Sequence, residues 1–233
     1  MLTDIFSSFD PSTISMYNWL PSPLFWTFNF LILCILSSVF WMAPSRLHQI
    51  LFFPKFIMFE QATRTFGSSM KGFSPILSSL FIIIICTNMT GLLPYVFSSS
   101  SHLFFTFSLA IPLWLALIMS SISNSVSNFL AGILPGGAPS WLNPFLVLIE
   151  TTSISVRPIT LSFRLAANMS AGHIVLGLVG IYSASAIFTS SISMLSLFAL
   201  QIIYILFEMG ICLIQAYIFC LLLSLYSDDH TSK

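Results

Sequence analysis

Four ionisable side chains stand in a stretch of the sequence that is otherwise mostly apolar: Glu150, Arg157, Arg164 and His173. The whole chain is 57% hydrophobic and only 6% charged, and apolar runs flank this stretch on both sides. A charged side chain at the centre of a bilayer costs about 2.5–3.5 kcal/mol even on the mildest scale. Residues of this kind are rare at membrane depth and typically mark an ion pathway, so ion movement is the chemistry that they indicate.

The spacing of these residues predicts a polar stripe along one face of a helix. At about 100° per residue, Glu150, Arg157, Arg164 and Asn168 fall within roughly 40° of one another. His173 is half a turn further round the helix than Arg164 and roughly 13–14 Å further along its axis. A purely structural alternative is that Glu150 and Arg157 form an ion pair, while Arg164 binds a backbone carbonyl oxygen.

A second polar stripe lies near the C-terminus. Gln201, Glu208 and Gln215 recur at intervals of seven residues, so they share one face of a helix within about 40°. The preceding residues, 183–196, are rich in serine, alanine and other small residues that allow two helices to approach closely. The C-terminal region is therefore expected to form apolar helices that carry a few embedded polar groups.

The composition requires a lipid bilayer as the solvent. The chain has 233 residues, seven basic and seven acidic residues, and a mean hydropathy of +0.98. A soluble domain of this size cannot bury so much apolar surface. A net charge of zero excludes the strongly basic surface that is typical of nucleic-acid-binding proteins. The cysteines lack CxxC spacing and the histidines lack ligand pairs, so we expect no metal site, haem or other cofactor.

The sequence predicts an all-α integral membrane protein with a single membrane domain. Residues 24–42 form an uncharged N-terminal transmembrane helix of about the ~20 residues that a span needs. Residues 44–71 are interrupted by too many charges to span. They predict an amphipathic helix in the membrane interface that starts near Pro54, with an ordinary loop as the alternative.

Two further transmembrane helices are predicted at 73–93 and 103–130. From residue 143 onward the chain is nearly continuously apolar, and its weakest point is GIYSAS at 180–185. The two halves, 143–181 and 186–226, would each be roughly 60 Å long as helices, against a hydrocarbon core of about 30 Å. Because neither half contains a good turn sequence, we predict one long, strongly tilted helical hairpin.

The distribution of basic residues predicts the orientation of the chain. Four of the seven basic residues lie in 44–71, where Glu60 is the only acidic residue. Short loops rich in lysine and arginine stay on the cytoplasmic or matrix side of a membrane. We therefore expect 44–71 on that inner side and the N-terminus on the opposite, outer side.

Two runs in the C-terminal half resemble the signatures of one family. The first is SFRLAANMSAGH at 162–173, and the second is FEMGICLIQAYIF at 207–219. Both are similar to subunit a of the F-type ATP synthases, whose mitochondrial form is also called subunit 6. The predicted order of helices matches that family too. The resemblance covers nearly the whole chain, although its specific motifs lie between residues 150 and 226.

The resemblance implies roles for the residues around the rotor-facing side of the subunit. Arg164 matches the essential arginine of the family, which faces the rotating carboxylate of the c-ring. Asn168 matches the amide that lies one turn later on the same helix. Gln215 matches the glutamine that lies beside the arginine.

The resemblance also implies two separate proton half-channels. His173 and Glu208 match the histidine and glutamate of the outer half-channel in its mitochondrial arrangement. Glu150 matches the acid of the inner half-channel. Arg157 has no universal counterpart in the family, and we expect it only to neutralise Glu150.

The function that the resemblance implies is a proton-translocating stator subunit of the membrane Fo sector of ATP synthase, without catalytic residues of its own. The implied partners are protons, the c-ring, the peripheral stalk, other Fo membrane subunits and the lipid bilayer. The implied location is the mitochondrial inner membrane, with the N-terminus in the intermembrane space and 44–71 on the matrix side. A stand-alone secondary transporter and a purely structural membrane anchor are the competing hypotheses.

Overall fold

The fold of the chain is all-helical in the part that its structure describes. A computed structural model describes Phe9, Thr27 and residues 46–93, 96–133, 141–188 and 190–231. Within these residues there are six α-helices, two short 3-10 turns and no strand, so the predicted all-α fold is confirmed there. The predicted first span, 24–42, lies outside the described residues except for Thr27.

Four of the six helices are long and apolar enough to cross a membrane. In chain order the helices are α1 Arg46–Arg64, α2 Phe73–Gly91, α3 Leu103–Asn124, α4 Val126–Ile133, α5 Asn143–Ala186 and α6 Ser191–Thr231. The candidate spans are α2, α3, α5 and α6. Neither α2 nor α3 contains an Asp, Glu, Lys or Arg residue, which suits a helix whose surroundings offer no water to a charge.

Helix α1 does not start near Pro54, so that prediction is wrong. It begins at Arg46 and runs through Pro54, although a proline inside a helix removes one backbone hydrogen bond. Met58 and Ala62 lie one turn apart on α1, and both are buried in the core that α1 shares with α2. We infer that this tertiary packing offsets the loss of the proline hydrogen bond and keeps the helix continuous.

Helix α3 ends at Asn124, before the predicted end of the third span at residue 130. Ser125 adopts an extended conformation, and the short helix α4 follows it. The hydroxyl groups of Ser120, Ser121 and Ser123 each donate to a carbonyl oxygen three residues earlier. The break itself is the extended conformation of Ser125, whose backbone N–H still bonds to the carbonyl oxygen of Ser121.

Helix α5 ends at Ala186 and α6 begins at Ser191, so the break between them comes later than the predicted weak point at 180–185. Serines within the predicted weak point do not interrupt α5, because Ser183 and Ser185 satisfy their hydroxyl groups on carbonyls of the same helix. Ser190 supplies the break instead: its Oγ accepts a hydrogen bond of 3.3 Å from the backbone N–H of Ser193. This is the geometry of a helix N-cap, and it starts α6.

The core lies where the two long helices meet α2 and α3. Leu161 and Leu165 of α5 pack with Phe219 of α6, Ile84 of α2 and Leu117 of α3. The opposite faces of the long helices remain exposed and apolar, including Ile203 and Phe207 on α6. Exposed apolar surface of this extent normally contacts lipid or partner subunits.

Candidate functional site

Arg164 lies near the midpoint of α5, and its side chain is exposed. It makes no hydrogen bond or ion pair with any residue that the structure describes. The residues that flank it on the same face, Thr160, Ala167 and Ala171, are small and also exposed. Small residues on a helix surface allow another helix to approach closely, so this face leaves room for a partner beside the guanidinium group.

Glu208 lies on α6 and is only 2% exposed. Its carboxylate packs directly against Gly172 of α5, where an added Cβ would overlap Oε1 of Glu208. Tyr204 lies one turn earlier on α6. One turn after Glu208, Sγ of Cys212 lies 3.5 Å from Sδ of Met169 on α5. The absence of a side chain at Gly172 is therefore what admits Glu208 between the two helices.

His173 follows Gly172 directly on α5, so its side chain points about 100° round the helix from the face that Glu208 contacts, and no contact between His173 and Glu208 is present among the described residues. Nε2 of His173 is buried and has no hydrogen-bond partner among the described residues. The ring of Phe9 packs edge-on against the imidazole at 6.2 Å between ring centroids. A buried ring nitrogen without a protein partner is a natural site for a bound water molecule or for proton exchange.

The structure adds a group of buried polar residues that the sequence reasoning did not include in the site. We call it the buried polar cluster, and it consists of Asn88 of α2 and the serines 99 and 100 of the following turn. Asn88 and Ser100 are fully buried, and neither the Asn88 amide nor the hydroxyls of Ser99 and Ser100 have a hydrogen-bond partner in the described part of the chain. Buried polar atoms without partners cost free energy, and ordered water usually satisfies them.

The buried polar cluster is connected to the same stretch of α5 that holds His173. Ser170 donates a hydrogen bond of 3.2 Å to the carbonyl oxygen of Ser101, next to the cluster. Gly91, one turn after Asn88, lies close to Ser98 and Met169. The only sign of this cluster in the sequence was an asparagine near the end of an apolar span. Helix periodicity does not show whether the asparagine amide has hydrogen-bond partners in the fold.

Glu150 and Arg157 occupy the other end of the α5 polar stripe. Nη2 of Arg157 lies 3.8 Å from Oε1 of Glu150, and their side chains are 24% and 39% exposed, respectively. The guanidinium group of Arg157 also stacks over the ring of Tyr226 on α6, at 4.9 Å from the ring centroid. The ion pair that the sequence offered as a structural alternative is therefore present, and Arg157 also links α5 to α6.

Asn168 and Gln215 are half-buried, and the described residues provide no hydrogen-bond partner for either side chain. Asn168 lies one turn after Arg164 on α5. No contact between Gln215 and Arg164 is present in the described part of the chain. Both amides therefore remain available to water or to a partner molecule.

Arg164 stands between two polar sites along α5. Glu150 precedes it by about 21 Å, and Gly172, with Glu208 packed on it, follows by about 12 Å, as calculated from the rise of the helix. No group of three or more potential metal ligands occurs among the described residues. The arrangement is suited to moving protons between two separated sites.

These features define a multi-helix membrane protein with ionisable groups on its long helices. Residues 22–228 match the family model described as ATP synthase A chain. The chain is 40% identical over 230 residues to ATP synthase subunit a of Locusta migratoria, an alignment that covers 98% of this chain and 99% of that protein. The corresponding subunit of Drosophila melanogaster is 38% identical, with 98% and 99% covered. That of Artemia franciscana is 36% identical, with 98% and 100% covered.

The chain belongs to the ATP synthase A chain family. The resemblance carried by the runs at 162–173 and 207–219 is thereby confirmed. The roles of the individual site residues remain predictions.

Proposed function

We propose that this chain is the proton-translocating stator subunit of the membrane Fo sector of ATP synthase. Two offset aqueous half-channels would deliver protons to and from the carboxylates of the c-ring, with Arg164 between them. The observation that carries the proposal is the state of Arg164. It is an exposed cation that has no partner among the described residues, is flanked by small residues and lies between two buried or paired acids.

Arg164 acts as a barrier and as a charge partner for the rotor. A c-ring carboxylate crosses lipid only in its protonated form, because the ionised form is too costly in hydrocarbon. The guanidinium group favours the ionised form of a carboxylate that faces it. Since arginine does not deprotonate, it also prevents protons from passing directly from one half-channel to the other. The rotor carboxylate must therefore turn away from Arg164 and collect a proton from the outer half-channel.

The outer half-channel passes His173 and Glu208. An imidazole and a carboxyl group both accept and release protons, and the carboxylate of Glu208 contacts the residue directly before His173. The buried polar cluster supports a water-filled inlet, because its amide and hydroxyl groups have no partner among the described residues and can each bind water. Asn168 and Gln215 have amide groups that are accessible between this contact and Arg164.

The inner half-channel passes Glu150. Its partial exposure and its long contact with Arg157 leave one face of the carboxylate open to water. Arg157 neutralises Glu150 and is held in place by Tyr226. Each proton that moves down the membrane potential releases about 2.3 kcal/mol per 100 mV, which is the energy that drives rotation.

The proposed placement is the mitochondrial inner membrane, which is supported by the animal relatives and the four candidate spans. Residues 44–71 would lie in the interface on the matrix side, with 24–42 as the first span and the N-terminus in the intermembrane space. Helices α5 and α6 contain 44 and 41 residues, so they are about 66 and 62 Å long. Their length supports a strongly tilted hairpin, because it exceeds the hydrocarbon core of about 30 Å twofold.

The proposed partners are the c-ring, which would pack against the face that carries Arg164, and the peripheral stalk with other Fo membrane subunits on the remaining apolar surface. The subunit would transfer protons without making or breaking covalent bonds in a substrate. A stand-alone transporter would leave the unpartnered Arg164 without a rotor to face, and a structural anchor would leave it without any role.

The decisive experiment replaces Arg164 in the intact ATP synthase and measures coupling in proteoliposomes. Arg164→Ala is expected to abolish ATP-driven proton pumping while the complex still assembles, because the barrier and the charge partner are both lost. Arg64→Ala is the matched control, since Arg64 is an exposed arginine paired with Glu60 on α1. An assembled Arg164→Ala complex that still couples proton flow to ATP synthesis would refute the proposal.

A further inference from the structure

A cavity of about 440 Å³ lies between α2, α3 and α6, away from the residues of the proposed proton path. Its volume is within the range of about 300–1,000 Å³ that is typical of small-molecule sites. One end of the cavity is polar and is lined by Lys71, Ser120 and Asn124. The remaining wall is mostly apolar and includes Leu77, Leu80, Leu113 and Leu223.

The polar end of the cavity lies at one surface of the helix bundle. Lys71 immediately precedes α2, and Asn124 is the last residue of α3. The Ser120 hydroxyl donates a hydrogen bond of 3.3 Å to Sδ of Met70, so the start of α2 and the end of α3 are side by side. Because both helices are candidate spans, these residues mark the level at which the bundle leaves the hydrocarbon.

The charges around this end favour an anionic ligand. Lys71 is exposed and forms no ion pair with the described residues, and it is the only charged residue of the cavity wall. Glu60 is already paired with Arg64 at 2.6 Å. Asp228 accepts a hydrogen bond of 3.4 Å from the backbone N–H of Gly67 and does not line the cavity. The Lys71 ammonium group and the Asn124 amide can donate to a phosphate, whereas the Ser120 hydroxyl already donates to Sδ of Met70 and to the carbonyl oxygen of Leu117.

The cavity is long enough to hold an apolar chain. The wall extends along α3 from Leu113 to Asn124, which is about 16 Å of helix rise. Exposed Ala116 in the wall leaves a lateral opening through which a chain can enter.

We propose that this cavity binds a phospholipid with an anionic headgroup. One acyl chain lies along the leucines of α2 and α3, and the phosphate lies beside Lys71, Ser120 and Asn124. An amphiphile fits both ends of the cavity, because it buries an apolar chain in the hydrocarbon layer while its charge stays at the membrane surface. A free phosphate ion would leave the apolar wall uncovered. The site is separate from the proton path and does not depend on it.

The test uses the intact ATP synthase in vesicles that contain a phosphatidylglycerol or a phosphatidylcholine with a photoactivatable acyl chain. Mass spectrometry then identifies the labelled peptides of α2 and α3. Phosphatidylglycerol is expected to label the cavity peptides about fivefold more than phosphatidylcholine, the ratio that corresponds to about 1 kcal/mol for one basic residue at an anionic surface. Lys71→Gln should bring this ratio close to one, while Lys55→Gln, on exposed α1, should leave it unchanged.

A second pair of variants tests the cavity itself. Ala116→Trp fills the lateral opening and should remove labelling by both lipids, whereas Ile111→Trp, at an exposed position on the same helix outside the cavity wall, should not. If Ala116→Trp prevents assembly, Ala116→Leu is expected to reduce labelling in an assembled complex. Equal labelling by the two lipids in the unmodified protein, unchanged labelling after Ala116 is enlarged, or cross-links to another polypeptide would each overturn the proposal.

Discussion

The carboxylate of Glu208 lies against the backbone of Gly172, and no Cβ fits between them. This contact joins the two long helices at the position where an acid is fully buried, directly before His173. The glycine is needed here for close approach and not for an unusual backbone conformation, because it lies within a regular helix.

We predict that Gly172→Ala slows proton translocation, because the added methyl group displaces the Glu208 carboxylate or separates the helices. Overpacking of this kind typically costs about 1–3 kcal/mol, so a decrease of roughly tenfold or more in ATP-driven pumping is expected. Gly177→Ala is the matched control. Gly177 lies on the same helix, and a Cβ added there would meet no neighbouring group within 4 Å. Equal pumping by the two variants would contradict a functional role for the contact.

We predict that Asn88→Leu slows proton uptake without destabilising the complex. Removing an unpartnered buried amide is close to neutral or stabilising for the fold, while the water that it binds would be lost. The measurements are pumping rate and the melting temperature of the assembled complex. Thr87→Val is the control, because the hydroxyl group of buried Thr87 is already bonded to carbonyls of its own helix. A faster or unchanged rate with Asn88→Leu would remove Asn88 from the inlet.

We predict that the ion pair between Glu150 and Arg157 contributes little to stability. A partly exposed pair is typically worth about 0–1 kcal/mol, and the 3.8 Å separation is long. Glu150→Gln should therefore leave the melting temperature of the complex nearly unchanged but reduce proton release on the inner side by about 100-fold or more, the scale on which a positioned proton-transfer group acts. Glu60→Gln, which removes the exposed partner of Arg64, should change neither quantity.

We predict that a large side chain beside Arg164 blocks the approach of the rotor. Ala167 is exposed one turn after Arg164 on the same face, so Ala167→Phe should impair rotation-coupled proton transport while leaving the subunit folded. Ala184→Phe is the control. Ala184 is exposed on the side of α5 opposite Arg164, about 30 Å along the helix from Arg164. Normal coupling in an assembled Ala167→Phe complex would show that no rotor helix packs on this face.

The all-α membrane fold and the family could be predicted from the sequence, but several helix boundaries could not. Long apolar runs with few charges indicate spans whatever their neighbours are. The path of α1 through Pro54, in contrast, accompanies the burial of Met58 and Ala62 against α2. The end of α3 coincides with the extended conformation of Ser125, and the start of α6 with an N-cap hydrogen bond to Oγ of Ser190.

The sequence by itself determined which residues of α5 share a face, because the rotation per residue in a helix is a local property. Glu150, Arg157 and Arg164 were placed on one stripe for that reason. Only the tertiary structure decided that Arg164 is exposed, that Glu208 is buried against Gly172, and that Asn88 is buried without a partner. These properties arise from contacts between helices that are far apart in the chain, and helical periodicity contains no information about which neighbour a face will meet.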